Sequence, residues 1–143
     1  MKHRDFGAQP TRTRIAVFEP GDDVLPVLQS FCEASGIASA TLTGIGGFAR
    51  ATVAFYDLQA KRYEPIPVEE QVEVLTFVGN VTEYEGKPKI HVHCVLGHRD
   101  GRTTGGHLLD GTVRPTLELT IVEFAATIRR VNRPEIGIPL IDG

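Results

Sequence analysis

The 143-residue sequence has no tryptophan, one methionine and two cysteines, and it contains no long hydrophobic run. No stretch reaches the roughly twenty apolar residues of a membrane helix, and no hydrophobic region follows the basic N-terminus. We therefore expect a cytoplasmic protein without a membrane span or a secretion signal. Cys32 and Cys94 are too few for a disulfide framework and form no C-x-x-C pair, which predicts two buried, reduced thiols.

Positive charge is also scarce. The 15 lysines and arginines are outnumbered by 18 aspartates and glutamates, which gives a net charge of -3. Proteins that bind nucleic acids through the phosphates usually have a basic surface, so this balance argues against DNA binding. The basic residues near the chain ends are Lys2, His3, Arg4, Arg12 and Arg14, and then Arg129, Arg130 and Arg133. They are either solvated termini or, in an oligomer, parts of one positive patch.

Hydrophobic residues make up 41% of the chain, which is enough for one core and predicts a single domain over residues 1–143. A helix is predicted between Asp22 or Asp23, either of which can cap it, and Gly36, which suits a left-handed C-cap. β-Branched and aromatic runs separated by turn residues predict strands elsewhere. The predicted strands are Thr11–Glu19, Ser39–Thr43, Ala49–Tyr56, Gln71–Val81, Lys89–Leu96, Thr103–Leu109 and Thr116–Phe124.

These elements define an α+β fold with an antiparallel or mixed sheet of about seven strands and one or two helices. The core is expected over residues 14–124, and residues 125–143 are expected to form an extended C-terminal tail. The glycine-rich segment 43–49 matches G-x-G-x-x-A, which binds phosphates when a helix follows it. A strand is predicted to follow here, so the segment is interpreted as a tight turn or a close backbone approach.

Two histidines occupy alternate positions of one predicted strand. Because side chains alternate along a strand, His91 and His93 share a face, and Cys94 lies on the opposite, apolar face. If the following hairpin has a three-residue loop, Arg99 to Gly101, positions that sum to 200 are opposite each other, and His107 lies across from His93. A two-residue loop would send His107 to the other face.

Three neutral imidazoles suit a divalent metal ion such as Zn²⁺ and leave a coordination position open for water or a substrate. The alternative is that they are surface or subunit-interface histidines that only form hydrogen bonds. His98, in the hairpin turn, is expected to be solvated. Polar residues on the last strand that could assist chemistry are Arg114, Glu118 and Glu123, for each of which a surface position is the simpler interpretation.

A succession of short motifs extends from residue 44 to residue 113. They are Gly44-Ile45-Gly46, Phe55-Tyr56-Asp57, Gly79-Asn80-Val81, Gly86-Lys87-Pro88 followed by His91-Val92-His93, Gly105-Gly106-His107-Leu108 and Gly111-Thr112-Val113. Over roughly residues 14–124 the chain resembles the plant- and prokaryote-conserved (PPC, also PCC) domain family. The resemblance implies a strongly curved, mixed sheet around helical elements and a homotrimer with the histidines near subunit boundaries.

The resemblance also implies two functions. Plant members carry AT-hook segments and prokaryotic members are described as DNA-binding, so a metal-binding regulatory module associated with DNA is one hypothesis. This chain lacks the Arg-Gly-Arg-Pro hook, of which Arg133-Pro134 keeps only a fragment. The histidines are also similar to the zinc ligands of acetolactate decarboxylase, which implies, as the alternative, a zinc-dependent lyase acting on a small carboxylated substrate.

Overall fold

The computed structural model describes residues 12–142. They form one helix, α1 (Val24–Ser35), and eight strands: β1 (Thr13–Phe18), β2 (Ala40–Asp57), β3 (Arg62–Val68), β4 (Val72–Tyr84), β5 (Lys87–Gly97), β6 (Thr103–Glu123), β7 (Arg130–Arg133) and β8 (Ile138–Ile141). The named strand pairings are all antiparallel. The predicted α+β class with a mainly antiparallel sheet is confirmed. No helix within residues 12–142 is long and apolar enough to cross a membrane.

Six strands form the main sheet in the order β1-β6-β5-β4-β2-β3, and β6 also pairs with β2. The pairings of β2, β4, β5 and β6 therefore close a ring, which requires strong curvature of the sheet. α1 packs against β5 and β6 through Val24, Leu28 and Cys32, which are spaced one turn apart and buried. The predicted burial of both cysteines is confirmed.

The ends of α1 agree only in part with the sequence prediction. Asp23 occupies the N-cap position but makes no side-chain cap, because its carboxylate accepts a hydrogen bond from the Thr112 hydroxyl at 3.0 Å. Gly36 is the predicted left-handed C-cap, with φ 67°, and its N–H bonds to the last carbonyls of the helix.

The glycine-rich segment is not a turn, as one interpretation of the sequence proposed, but part of the continuous strand β2. An added Cβ at Gly44, Gly46 or Gly47 would lie 2.2–2.6 Å from atoms of β6, mostly backbone oxygens. The alternative interpretation, close backbone approach, is therefore confirmed. The sequence predicts separate strands before and after these glycines, but the structure has one continuous strand, β2. The two strands predicted over residues 103–109 and 116–124 are likewise one continuous strand, β6.

The C-terminal residues expected to be extended form a hairpin of β7 and β8 that lies against the main sheet. The Tyr56 hydroxyl donates a hydrogen bond to the Ile136 carbonyl at 2.8 Å, and the Lys61 ammonium donates one to the Pro134 carbonyl at 2.9 Å. We call residues 130–141 the C-terminal hairpin. It brings Arg130 to the sheet beside Asn80 and Thr82 of β4.

Candidate metal centre

The loop between β5 and β6 sets the position of the third histidine. The amide of His98 donates to the Arg102 carbonyl at 3.0 Å, and the amide of Gly101 donates to the His98 carbonyl at 3.0 Å. Gly101 has φ 85°, a left-handed conformation that glycine adopts without a Cβ clash. This is the predicted three-residue loop, and His93 is directly opposite His107.

The three imidazoles lie together. Ring centroids are 5.1 Å apart for His91 and His93, 5.0 Å for His91 and His107, and 5.4 Å for His93 and His107. One nitrogen from each ring lies within 4.8 Å of the others, and the Nε2 atoms of His91 and His93 are 3.2 Å apart. The predicted grouping is confirmed. Cys94, on the opposite face, is buried, which raises the pKa of its thiol to about 12.

Burial and positive neighbours keep two of the rings neutral. The pKa of His91 is lowered from 6.5 to about 4, first by burial and then by the charges of Arg130, His93 and Lys89. The pKa of His107 is also lowered to about 4, first by burial and then by the same positive groups together with His91. Both rings are therefore uncharged near neutral pH and have a lone pair that a metal ion can accept.

Two residues from distant parts of the chain contact the histidine rings. The ring of Tyr63 in β3 stacks on that of His107, with centroids 4.5 Å apart and planes 24° apart. Arg130 in the C-terminal hairpin donates from Nη2 to Nδ1 of His91 at 3.1 Å. Because arginine can only donate, Nδ1 of His91 must accept, and the proton of the neutral ring lies on Nε2, which faces His93.

The positions of the ring protons determine which histidine nitrogens are free to coordinate a metal ion. Nδ1 of His107 is buried and has no hydrogen-bond partner among residues 12–142, so this nitrogen is left unsatisfied by the part of the chain that the structure describes. His93 offers Nε2, which accepts from His91 in this arrangement. His91 can offer Nε2 only when its proton moves to Nδ1, and the contact with Arg130 must then open. The three histidines can therefore hold a divalent ion once the proton of His91 has moved from Nε2 to Nδ1.

Two interpretations of polar residues from the sequence were wrong. His98 is not solvated: its side chain is 6% exposed and bonds to Glu70 and Thr104, each at 2.8 Å. Arg130 is not a solvated terminal residue but 9% exposed. Of the residues on the last strand, Glu123 forms an ion pair with Arg14 at 2.7 Å, away from the cluster. Lys2, His3 and Arg4 lie outside the described residues.

Sequence reasoning missed the contacts of Tyr63 and Arg130 with the cluster and the nearby charge of Lys89. Lys89 could have been found, because it lies two positions before His91 and shares its face of β5. Tyr63 follows a turn in a segment whose prolines obscured the strand. Nothing in the local pattern around Arg130 distinguishes it from neighbouring arginines, since its role depends on the fold of the C-terminal hairpin.

The chain belongs to the Plants and Prokaryotes Conserved (PCC) domain family, whose sequence model matches residues 6–125. The resemblance found in the sequence is thus confirmed. A metal-containing protein of Archaeoglobus fulgidus is 28% identical, with a TM-score of 0.89 and coverage of 100% of both chains. A protein of Ralstonia eutropha for which DNA binding has been suggested is 32% identical, with a TM-score of 0.83 over 90% of this chain and 89% of that one.

A more distant likeness concerns the fold alone. α-Acetolactate decarboxylase of Bacillus subtilis is 16% identical, with a TM-score of 0.59 over 91% of this chain and 60% of the enzyme. The expected similarity of fold to this enzyme is confirmed. No curated protein sequence matches the chain.

Proposed function

We propose that His91, His93 and His107 bind a divalent metal ion, with Zn²⁺ as the preferred ion. The observation that carries this proposal is the grouping of the three imidazoles, together with a buried Nδ1 of His107 that has no hydrogen-bond partner among residues 12–142. Three neutral nitrogen ligands suit zinc, which in such sites keeps a position for water or a ligand and acts there as a Lewis acid. The metal content of the Archaeoglobus fulgidus relative gives further support.

The test is metal analysis of protein purified without a nickel column. We expect about one zinc ion per chain in the wild type, and most of it lost in His91→Ala and in His107→Ala. His98→Gln is the matched control, because it removes a histidine that lies outside the cluster. Unchanged metal content in both alanine variants would contradict the proposal.

We also propose that the protein is a homotrimer, as the family resemblance implies. Five apolar side chains, here called the apolar patch, lie exposed on the outer face of the sheet: Ile15, Val17, Ile45, Leu75 and Val78. Val78 is opposite His93 in the pairing of β4 and β5, so the patch adjoins the histidine cluster. Exposed apolar surface of this kind is typical of a subunit interface.

Association with DNA is a proposal that rests on the family and on the Ralstonia eutropha relative. The arginines near the chain ends give it little support, because Arg14, Arg129 and Arg133 each form an ion pair with a carboxylate. Each phosphate contact steepens the fall of affinity with salt. Absence of binding to duplex DNA even at low salt would exclude this function.

A zinc-dependent lyase is the alternative. A cavity of about 140 Å³ adjoins the cluster and is lined by Tyr63, His107 and Arg130, among others. Burial raises the pKa of Tyr63, so its hydroxyl stays protonated and able to donate a proton. Release of carbon dioxide from small carboxylates by zinc-loaded wild-type protein, but not by His107→Ala, is the result that this alternative requires.

A further inference from the structure

Arg130 is a buried charge without a counter-charge. Its residue is only 9% exposed, yet within residues 12–142 no carboxylate oxygen lies within 4.0 Å of its guanidinium. Its partners are neutral: Thr82 Oγ1 at 2.8 Å, Asn80 Oδ1 at 2.9 Å, the Pro139 carbonyl at 3.1 Å and His91 Nδ1 at 3.1 Å. Buried charges in proteins are normally paired, because an isolated one loses its hydration without compensation.

One N–H donor of Arg130 has no hydrogen-bond partner among the described residues. A guanidinium has five N–H groups, and the four contacts use one on Nε, one on Nη1 and both on Nη2. The second N–H of Nη1 therefore has no partner among residues 12–142. Arg130 lines the cavity that adjoins the histidine cluster, so a ligand in this cavity can reach the guanidinium.

The other charged residue that lines the cavity is also positive. Lys89 lines it, and none of its lining residues is an aspartate or a glutamate. An anion in the cavity would therefore neutralise a potential that the described residues leave uncompensated.

Strand β8 also lines the cavity, through Ile138, Pro139 and Leu140. The volume of about 140 Å³ is well below the roughly 300–1,000 Å³ of pockets for drug-sized molecules, so only a small ligand fits. An apolar wall favours a ligand with a short carbon skeleton over an inorganic anion of the same charge.

We propose that this cavity binds a small organic carboxylate, whose anionic group pairs with Arg130 and Lys89 and whose carbon skeleton packs against β8. The proposal adds a ligand beside the proposed metal site, and the coupling between ligand and metal rests on that proposed site. When Nε2 of His91 becomes a ligand, its proton moves to Nδ1 and the Nη2 donor of Arg130 loses its acceptor. A carboxylate oxygen supplies that acceptor, so metal and carboxylate should each increase affinity for the other.

Isothermal titration calorimetry with propionate at neutral pH and fixed ionic strength tests the proposal on zinc-loaded and chelator-treated protein. We expect binding to both forms, tighter in the zinc-loaded form. Propionamide, which has the same carbon skeleton without the charge, should not bind. Inorganic phosphate should bind more weakly than propionate; tighter binding of phosphate would overturn the choice of a carboxylate.

Three variants define the site. Arg130→Met should weaken propionate binding about ten- to a hundredfold, the range for loss of a hydrogen bond to a charged group. Because a buried arginine can also support the fold, Lys89→Met provides a second test: it removes an exposed charge and should weaken binding about two- to fivefold. Lys87→Met is the matched control, since Lys87 is an exposed lysine of the same strand that does not line the cavity, and it should have no effect.

Zinc analysis of the same samples separates failure of this site from failure of the metal site. Bound zinc without propionate binding overturns the carboxylate site and leaves the metal site intact. If the protein retains no zinc even after zinc is supplied, and still binds propionate in a way that depends on Arg130, the metal site and the predicted coupling are overturned and the anion-binding role of Arg130 is supported. Equal effects of Lys89→Met and Lys87→Met would contradict a specific role of the cavity.

Discussion

At the scale of single residues, the proton positions on the histidines are determined by neighbouring side chains. Arg130 requires an accepting Nδ1 on His91, and the resulting Nε2 proton faces His93. His107, stacked on Tyr63, has a buried Nδ1 that bonds to no described residue. His91 and His107 resist protonation, because their burial and the neighbouring positive groups both lower the pKa of these rings.

This resistance predicts a pH dependence of stability for the metal-free protein. The pKa values of His91 and His107 are lowered from 6.5 to about 4 on folding, so the unfolded chain binds more protons between these values. Stability is therefore complete above about pH 6.5 and should fall as the pH decreases towards about 4. Thermal unfolding of chelator-treated protein measures this fall.

The variant His107→Gln removes one of the two groups and should make the pH dependence shallower between pH 6.5 and pH 4.5. Identical slopes for wild type and variant would show that His107 does not contribute to the acid sensitivity.

At the scale of secondary-structure elements, the hairpin of β5 and β6 is the part of the site that could be predicted. The alternation of side chains along β5, the length of one loop and the position of His107 are enough to predict that the three histidines share a face. They are enough because the register of a hairpin is a local property of the chain. The bounds of β2 and β6 could not be predicted. Their central residues include glycines and Pro115, which act as turn signals in sequence but here lie within long, closely packed strands.

The parts of the site that could not be predicted come from elements that depend on tertiary structure. β3 contains Pro65 and Pro67 and is not predicted as a strand from the sequence. Among residues 12–142 it pairs with β2 alone, and such an edge position tolerates proline. The C-terminal hairpin has strands of four residues, too short for a clear pattern. Arg130 and Tyr63, which these elements supply, were therefore missed together with them.

The attachment of the C-terminal hairpin gives a prediction at this scale. Tyr56→Phe removes the hydrogen bond to the Ile136 carbonyl, which contributes about 0.5–1.5 kcal/mol by the usual range. We expect faster amide hydrogen exchange in residues 136–141 and several-fold weaker propionate binding, with unchanged zinc content. The amides of α1, remote from this bond, are the internal control, and uniformly faster exchange would indicate general destabilisation instead.

At the scale of the whole molecule, the curved sheet has its core on one side and the apolar patch on the other. Ile15, Ile45, Leu75 and Val78 line one continuous depression across β1, β2 and β4. Each of the five side chains of the patch is at least 51% exposed, and contiguous exposed apolar surface is typical of an interaction site. The patch and the cluster share the outer face, so assembly through the patch would also bring a neighbouring subunit close to His93.

The corresponding prediction concerns the oligomeric state. Analytical ultracentrifugation of the wild type should give three times the chain mass, and Ile45→Asp should shift the mass towards the monomer, because it places a charge in the centre of the patch. Leu58→Asp is the matched control, since Leu58 is equally exposed but lies in the turn between β2 and β3, outside the patch. A wild type that sediments as a monomer would contradict the trimer.

The C-terminal hairpin lies beyond residues 6–125, the part of the chain that the family model matches, whereas the three histidines lie inside it. Metal chemistry and choice of ligand would then be encoded in separate stretches of the gene. Proteins sharing the histidines could diverge in what they recognise by changing only their last few residues, without disturbing the ion. Exchanging the final segment between two such proteins should therefore exchange their preferences while each retains its metal.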